Sequence, residues 1–78
     1  MHLGWSREWL FPEWSPLRGS RVLAGLSQAE LATIVGASRE TISSLERGAS
    51  IPSVTLALAI AHALDATVEE LFAADELR

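Results

Sequence analysis

The run LSQAELATIVGASRETISSLERG, residues 26–48, restricts the fold of this chain more than any other feature. Ser27 and Glu30 form an S-x-x-E capping box, and Leu31, Ala32 and Val35 follow at helical spacing, which predicts a helix from about Gln28 to Val35. Gly36 can take the left-handed conformation that stops a helix, and Ser38 caps the next, from Arg39 to about Arg47. Ile42 and Leu45 face inward in that helix, and Gly48 ends it. With only Ala37 and Ser38 after the stop glycine, the two helices must cross steeply. Core duty for Leu31, Val35, Ile42 and Leu45 leaves Ser38, Arg39, Glu40, Ser43, Ser44 and Arg47 on the outside.

The flanks read as helices too. Ser15 before Pro16 opens a first helix that runs to about Ala24 and is closed by Gly25, although Gly19 and Ser20 are poor helix formers. Ser53 caps a fourth helix whose inward pattern is Val54, Leu56, Ala57, Ile60, Ala61 and Leu64. Thr67 and Glu70 are a second capping box, opening a short fifth helix through Val68, Leu71 and Phe72. With β-branched runs missing, the expected class is all-α, in five helices.

At 78 residues the chain makes one small domain, near the lower limit for a self-sufficient core. It has no cysteine to staple it, which suits a reducing compartment. No apolar run approaches the roughly eighteen residues of a membrane span, and no basic-then-apolar leader pattern appears, so a cytoplasmic location without membrane attachment is expected. An enzyme is not expected: the sequence has no glycine-rich phosphate loop and no paired carboxylates in a plausible cleft. His62 and Asp65, three apart, lack a third ligand or a nucleophile, so His62 reads as a surface histidine, with neither metal nor cofactor implied.

The net charge of −4 argues against a polyanion partner only as a total. Residues 17–48 hold four arginines against three glutamates, a balance of +1, and residues 65–78 hold five acids against Arg78, a balance of −4. The acid therefore sits at the C-terminal end. Residues 1–15 form a separate arm with all three tryptophans, Trp5, Trp9 and Trp14. Such an arm either packs on the domain or is loosely ordered, or else it meets a protein partner or second copy. Leu58, Ala59, Ala63 and Leu77 exceed what one small core needs, which points to a dimer face on the fourth and fifth helices.

The strings GLSQAELA, VGASRETISSLERG and PSVTLALAIAHALDATVEELF make residues 17–72 resemble the helix-turn-helix domain of the Xre/phage Cro and cI repressor family. The resemblance implies a five-helix, lambda-repressor-like DNA-binding domain over residues 16–78. Its third helix enters the roughly 12 Å wide major groove while the second spans the phosphates. It carries base contacts to Ser38, Arg39, Glu40 and Ser44, with Ser43 beside them, and phosphate contacts to Ser27, Gln28, Thr41, Arg47 and Arg18. Arg39 can donate twice to guanine, and Glu40 can accept from cytosine N4. Arg21 and Glu46 are implied to pair, and Gln28 to brace the third helix as well as meet a phosphate.

The function implied is a transcriptional regulator, a repressor acting as a homodimer on a palindromic operator in double-stranded DNA. The alternative is a protein-interaction module, antitoxin-like, with DNA binding weakened or lost. Three features depart from the family pattern: Ser20 stands where an apolar residue is usual, Val22 and Leu23 where charged ones are, and Asp65 where glycine is favoured. The first helix is therefore expected either to be rotated or to have its apolar face covered by the arm.

Overall fold

The computed structural model describes residues 15–72, which form five helices: α1 (Pro16–Leu23), α2 (Gln28–Val35), α3 (Arg39–Glu46), α4 (Val54–Ala63) and α5 (Val68–Leu71). The tryptophan arm and Leu77 lie outside the described residues. Every helix starts at a serine or threonine, Ser15, Ser27, Ser38, Ser53 or Thr67, whose side-chain oxygen accepts a backbone N–H from the first turn. Each such cap contributes about 1 kcal/mol. In helices of only one to three turns, that fixes where the chain turns. Both expected capping boxes are formed, Ser27 with Glu30 and Thr67 with Glu70.

The core takes one fully buried large aliphatic residue from each helix: Leu17, Leu31, Ile42, Ile60 and Leu71. Ala32, Leu45, Ala57 and Ala61 complete the buried apolar set among the described residues. α2 packs against both α3 and α4, α1 against α3 and α5, and α4 against α5. Truncation of any of the five large residues to alanine would empty a site that no single neighbour can refill, a loss of about 2–5 kcal/mol.

The turn between α2 and α3 depends on Gly36, which sits at φ 74°. Its left-handed conformation lets the Ala37 N–H reach back to the Ala32 carbonyl at 2.9 Å. A side chain at this position would meet no atom within 4 Å, so the requirement for glycine is one of backbone conformation alone. At the α4–α5 turn, Asp65 adopts φ 53°, filling with an L-residue the role that glycine fills elsewhere in the chain.

Two side chains of α4 depart from the sequence expectation. Val54, assigned to the inward pattern of α4, is 76% exposed, because it is the first residue of that helix and precedes the turn that meets the core. Ala63, assigned to a surplus face, packs against the core. α1 turns Leu17 and Arg21 inward and leaves Val22 and Leu23 on the outside, Leu23 at 90% exposure. Among the described residues no helix is long and apolar enough to cross a membrane.

Candidate nucleic-acid interface

Glu46, in the last turn of α3, organises the site. Its carboxylate accepts from Arg21 Nε at 2.5 Å, from Arg21 Nη2 at 3.2 Å and from Gln28 Nε2 at 3.0 Å. Arg21 Nη1 donates to the Leu26 carbonyl at 2.8 Å. One carboxylate thus joins α1 and the first turn of α2 to α3, and the arginine adds the α1–α2 loop. Arg21 and Glu46 pair as the resemblance implies, and both are buried, at 8% and 3% exposure. The fork-on-carboxylate geometry restricts rotation as well as distance, which a single contact would not.

Held at its far end, α3 projects its first turn into solvent. Arg39 and Glu40 are exposed, and neither side chain is tied by a hydrogen bond or ion pair among the described residues. Ser38 is exposed, but its hydroxyl already accepts the Thr41 N–H at 3.0 Å and lies 2.9 Å from the Thr41 hydroxyl. Ser43 and Ser44, expected outside, are half-buried, since they flank the inward stripe of Ile42 and Leu45. Arg47 is the exposed C-cap, and its Nε donates to the Ser43 carbonyl at 3.3 Å.

The start of α2 lies beside this surface through the Gln28–Glu46 bond. Ser27 is spent on its capping box, accepting from the Glu30 N–H at 3.0 Å while its own N–H donates to Glu30 at 2.7 Å. Hydrogen bonding to the carboxylate, first by the Ser27 backbone N–H and then by its hydroxyl, holds the Glu30 carboxyl below the usual carboxylate range. The N–H groups of Gln28 and Ala29 remain at the positive end of the helix, where an anion is favoured. Gln28 itself is half-buried, with one amide donor committed to Glu46. Arg18 is half-buried on the first turn of α1. Thr41 is half-buried next to Ser38.

The coordinates thus gather the predicted residues into two groups, Arg21, Gln28 and Glu46 at the brace and Ser38 with Thr41 at the head of α3. The Leu26 carbonyl in the brace was not legible from sequence, since a backbone acceptor leaves no residue-type signal. Ile51, 81% exposed, was missed as well. Together with Pro52, Val54, Ala57, Leu58, Val68 and Phe72 it lines an apolar groove of about 210 Å³ between the α3–α4 loop, α4 and α5. A large aliphatic residue in a loop was the available clue. Among the described residues no group of three or more His, Cys, Asp or Glu comes together as a metal site would require.

The family model described as Helix-turn-helix matches residues 17–71, spanning all five helices. An uncharacterized HTH-type transcriptional regulator of Archaeoglobus fulgidus is 45% identical over 60 residues, covering 77% of this chain and 86% of the relative. One from Methanothermobacter thermautotrophicus is 46% identical over 61 residues, covering 77% and 88%. A further one from Bacillus subtilis, YgzD, is 38% identical over 56 residues, covering 72% and 85%. Sequence match, helix order and the braced, outward-facing α3 agree: the chain belongs to the Xre-like helix-turn-helix family of DNA-binding transcriptional regulators.

Proposed function

We propose that this chain is a cytoplasmic repressor that binds a palindromic operator as a homodimer, with α3 in the major groove. The observation that carries the reading is the exposed first turn of α3, with uncommitted Arg39 and Glu40 side chains, on a helix whose other end is fixed by Arg21 and Gln28 through Glu46. Arg39 and Glu40 read base edges, Arg39 on a guanine and Glu40 on a cytosine. Ser38, Ser43 and Ser44 are shorter and make closer contacts, to bases or to the sugar edge. Ser27, Gln28, Thr41, Arg47 and Arg18 meet phosphates, with the free N–H groups at the start of α2.

Dimerisation follows from affinity and from shape. A unit with no lysine and roughly three to five phosphate contacts binds weakly alone, and pairing doubles both contacts and salt dependence. The groove supports a self-complementary pairing, because its rim carries the knobs, Ile51 and Leu58, that a partner's groove would receive. Selection from random double-stranded DNA tests the reading. Enrichment of a salt-sensitive palindrome, with half-sites about one helical turn apart and a G·C pair in each, is expected. Failure to enrich any sequence at low salt would favour the partner-binding alternative, for which the net charge of −4 speaks.

A further inference from the structure

The dimer groove is not the only apolar surface without a partner among the described residues. On the opposite side of α2 from its buried stripe, Leu26, Ala29, Glu30, Thr33 and Ile34 line a shallow depression, with a single charged member. Their spacing is that of one continuous helix face. Ile34 is 58% exposed, and Leu23 and Val22, at the end of α1 just before this stretch, are also exposed. α2 is therefore apolar on two faces. Neither the DNA-reading surface nor the groove uses the outer one.

We infer that this outer α1–α2 face is covered by the chain's own tryptophan-bearing segment, residues 1–14. That segment supplies the chemistry the face lacks, with Trp5, Trp9, Trp14, Leu3, Leu10 and Phe11 among fourteen residues. It joins the fold at Ser15, the cap of α1. From there, the eight residues of α1 place Leu23 about 12 Å away along the helix. Fourteen residues reach up to roughly 45 Å when extended, enough to fold back along α1 and continue over α2. Attachment so close gives the segment an effective concentration on the order of millimolar, which a separate partner would have to exceed. The opposite terminal segment, residues 73–78, is a poor candidate because three of its six residues are Asp75, Glu76 and Arg78.

Residues 15–72 contain no tryptophan, so intrinsic tryptophan fluorescence of the full chain reports the segment alone. Emission should be blue-shifted and poorly quenched by acrylamide, and equally so across a dilution series spanning monomer and dimer. In a Leu23→Glu/Ile34→Glu variant the emission should move to the red and quenching should rise several-fold, with far-UV circular dichroism unchanged because both sites are exposed. A Leu58→Glu control in the groove should leave the emission where it was. Solvent-like tryptophans in the parent chain would overturn the inference, leaving the face to a separate protein. So would shielding that vanishes on dilution, which assigns the cover to a second copy, or a shift in the Leu58→Glu control instead. None of these readings uses DNA, so the inference stands or falls separately from operator binding.

Discussion

At the junction of α1, α2 and α3 two opposite charges are buried, whereas around the α3–α4 loop and α4 three large aliphatic residues face solvent. Arg21 and Glu46 are 8% and 3% exposed; Ile51, Val54 and Leu58 are 81%, 76% and 57% exposed. A hydrophobic substitute of similar volume would often stabilise the first region better, because desolvating two charges offsets most of their attraction. Single exposed aliphatics are ordinary, but three around one concave groove are not. The contrast teaches that neither region is arranged for the stability of the monomer alone. The brace ties α3 to α1 and α2, and in the proposed homodimer the groove would set where a second such helix is held.

The sharpest way to break the comparison is to remove one half of the buried pair. Glu46→Ala should lower stability by about 3–5 kcal/mol, because Arg21 stays desolvated with only the Leu26 carbonyl as a partner. For a domain whose whole stability is of the order of 5–15 kcal/mol, urea denaturation will register that as a major loss. An Arg21→Met/Glu46→Leu double variant should recover most of the stability and still bind its operator less tightly. Parent-like affinity in that folded variant would reduce the brace to a packing element.

At the groove the corresponding change should spare the monomer. Leu58→Glu alters an exposed position, so unfolding of the monomer should change by no more than about 0.5 kcal/mol. Across a two-fold it sets like charges into an apolar contact, weakening association by on the order of 2 kcal/mol or more. Sedimentation equilibrium measures the shift. A dimer that survives the substitution unchanged would place the interface elsewhere.

Arg39→Ala probes the end of α3 that the brace leaves free. Stability should stay constant while discrimination at one G·C pair falls by about 1–3 kcal/mol, read by competition between operator and single-pair variants. A uniform loss across all sequences, with a shallower salt slope, would reassign Arg39 to a phosphate.

How much of this was legible beforehand follows from the range over which each signal acts. Caps and stops are local, so Ser15, Ser27, Ser38, Ser53 and Thr67 announced all five helix starts. The family resemblance placed Arg21 against Glu46, twenty-five residues apart, where no local pattern could have paired them. What failed depended on direction. Val54 belongs to an apolar helix but lies one residue before the turn that meets the core, and Ser43 and Ser44 are polar neighbours of a buried stripe that only packing could half-cover. Apolar periodicity cannot distinguish a residue on the core from one on an interface, so Ala63 and Leu58 looked equivalent until packing separated them.

The smallest expected effect concerns the turn that connects the groove's two walls. Asp65 holds φ 53° between α4 and α5. An L-residue in that region carries a penalty of about 1–2 kcal/mol, reduced for aspartate, whose short polar side chain can bond locally. Glycine would remove the penalty but lose about 0.5–1 kcal/mol through its greater freedom in the unfolded chain. The net for Asp65→Gly is a gain of up to about 1 kcal/mol, seen as a melting temperature raised by a few degrees. Asp65→Ala keeps the left-handed backbone without the tolerance of that region that aspartate has over alanine, so it should melt below the parent. The order glycine, aspartate, alanine therefore separates a backbone effect from a side-chain one. If alanine matched or exceeded the parent, the left-handed turn would be contributing nothing to how α5 closes the groove.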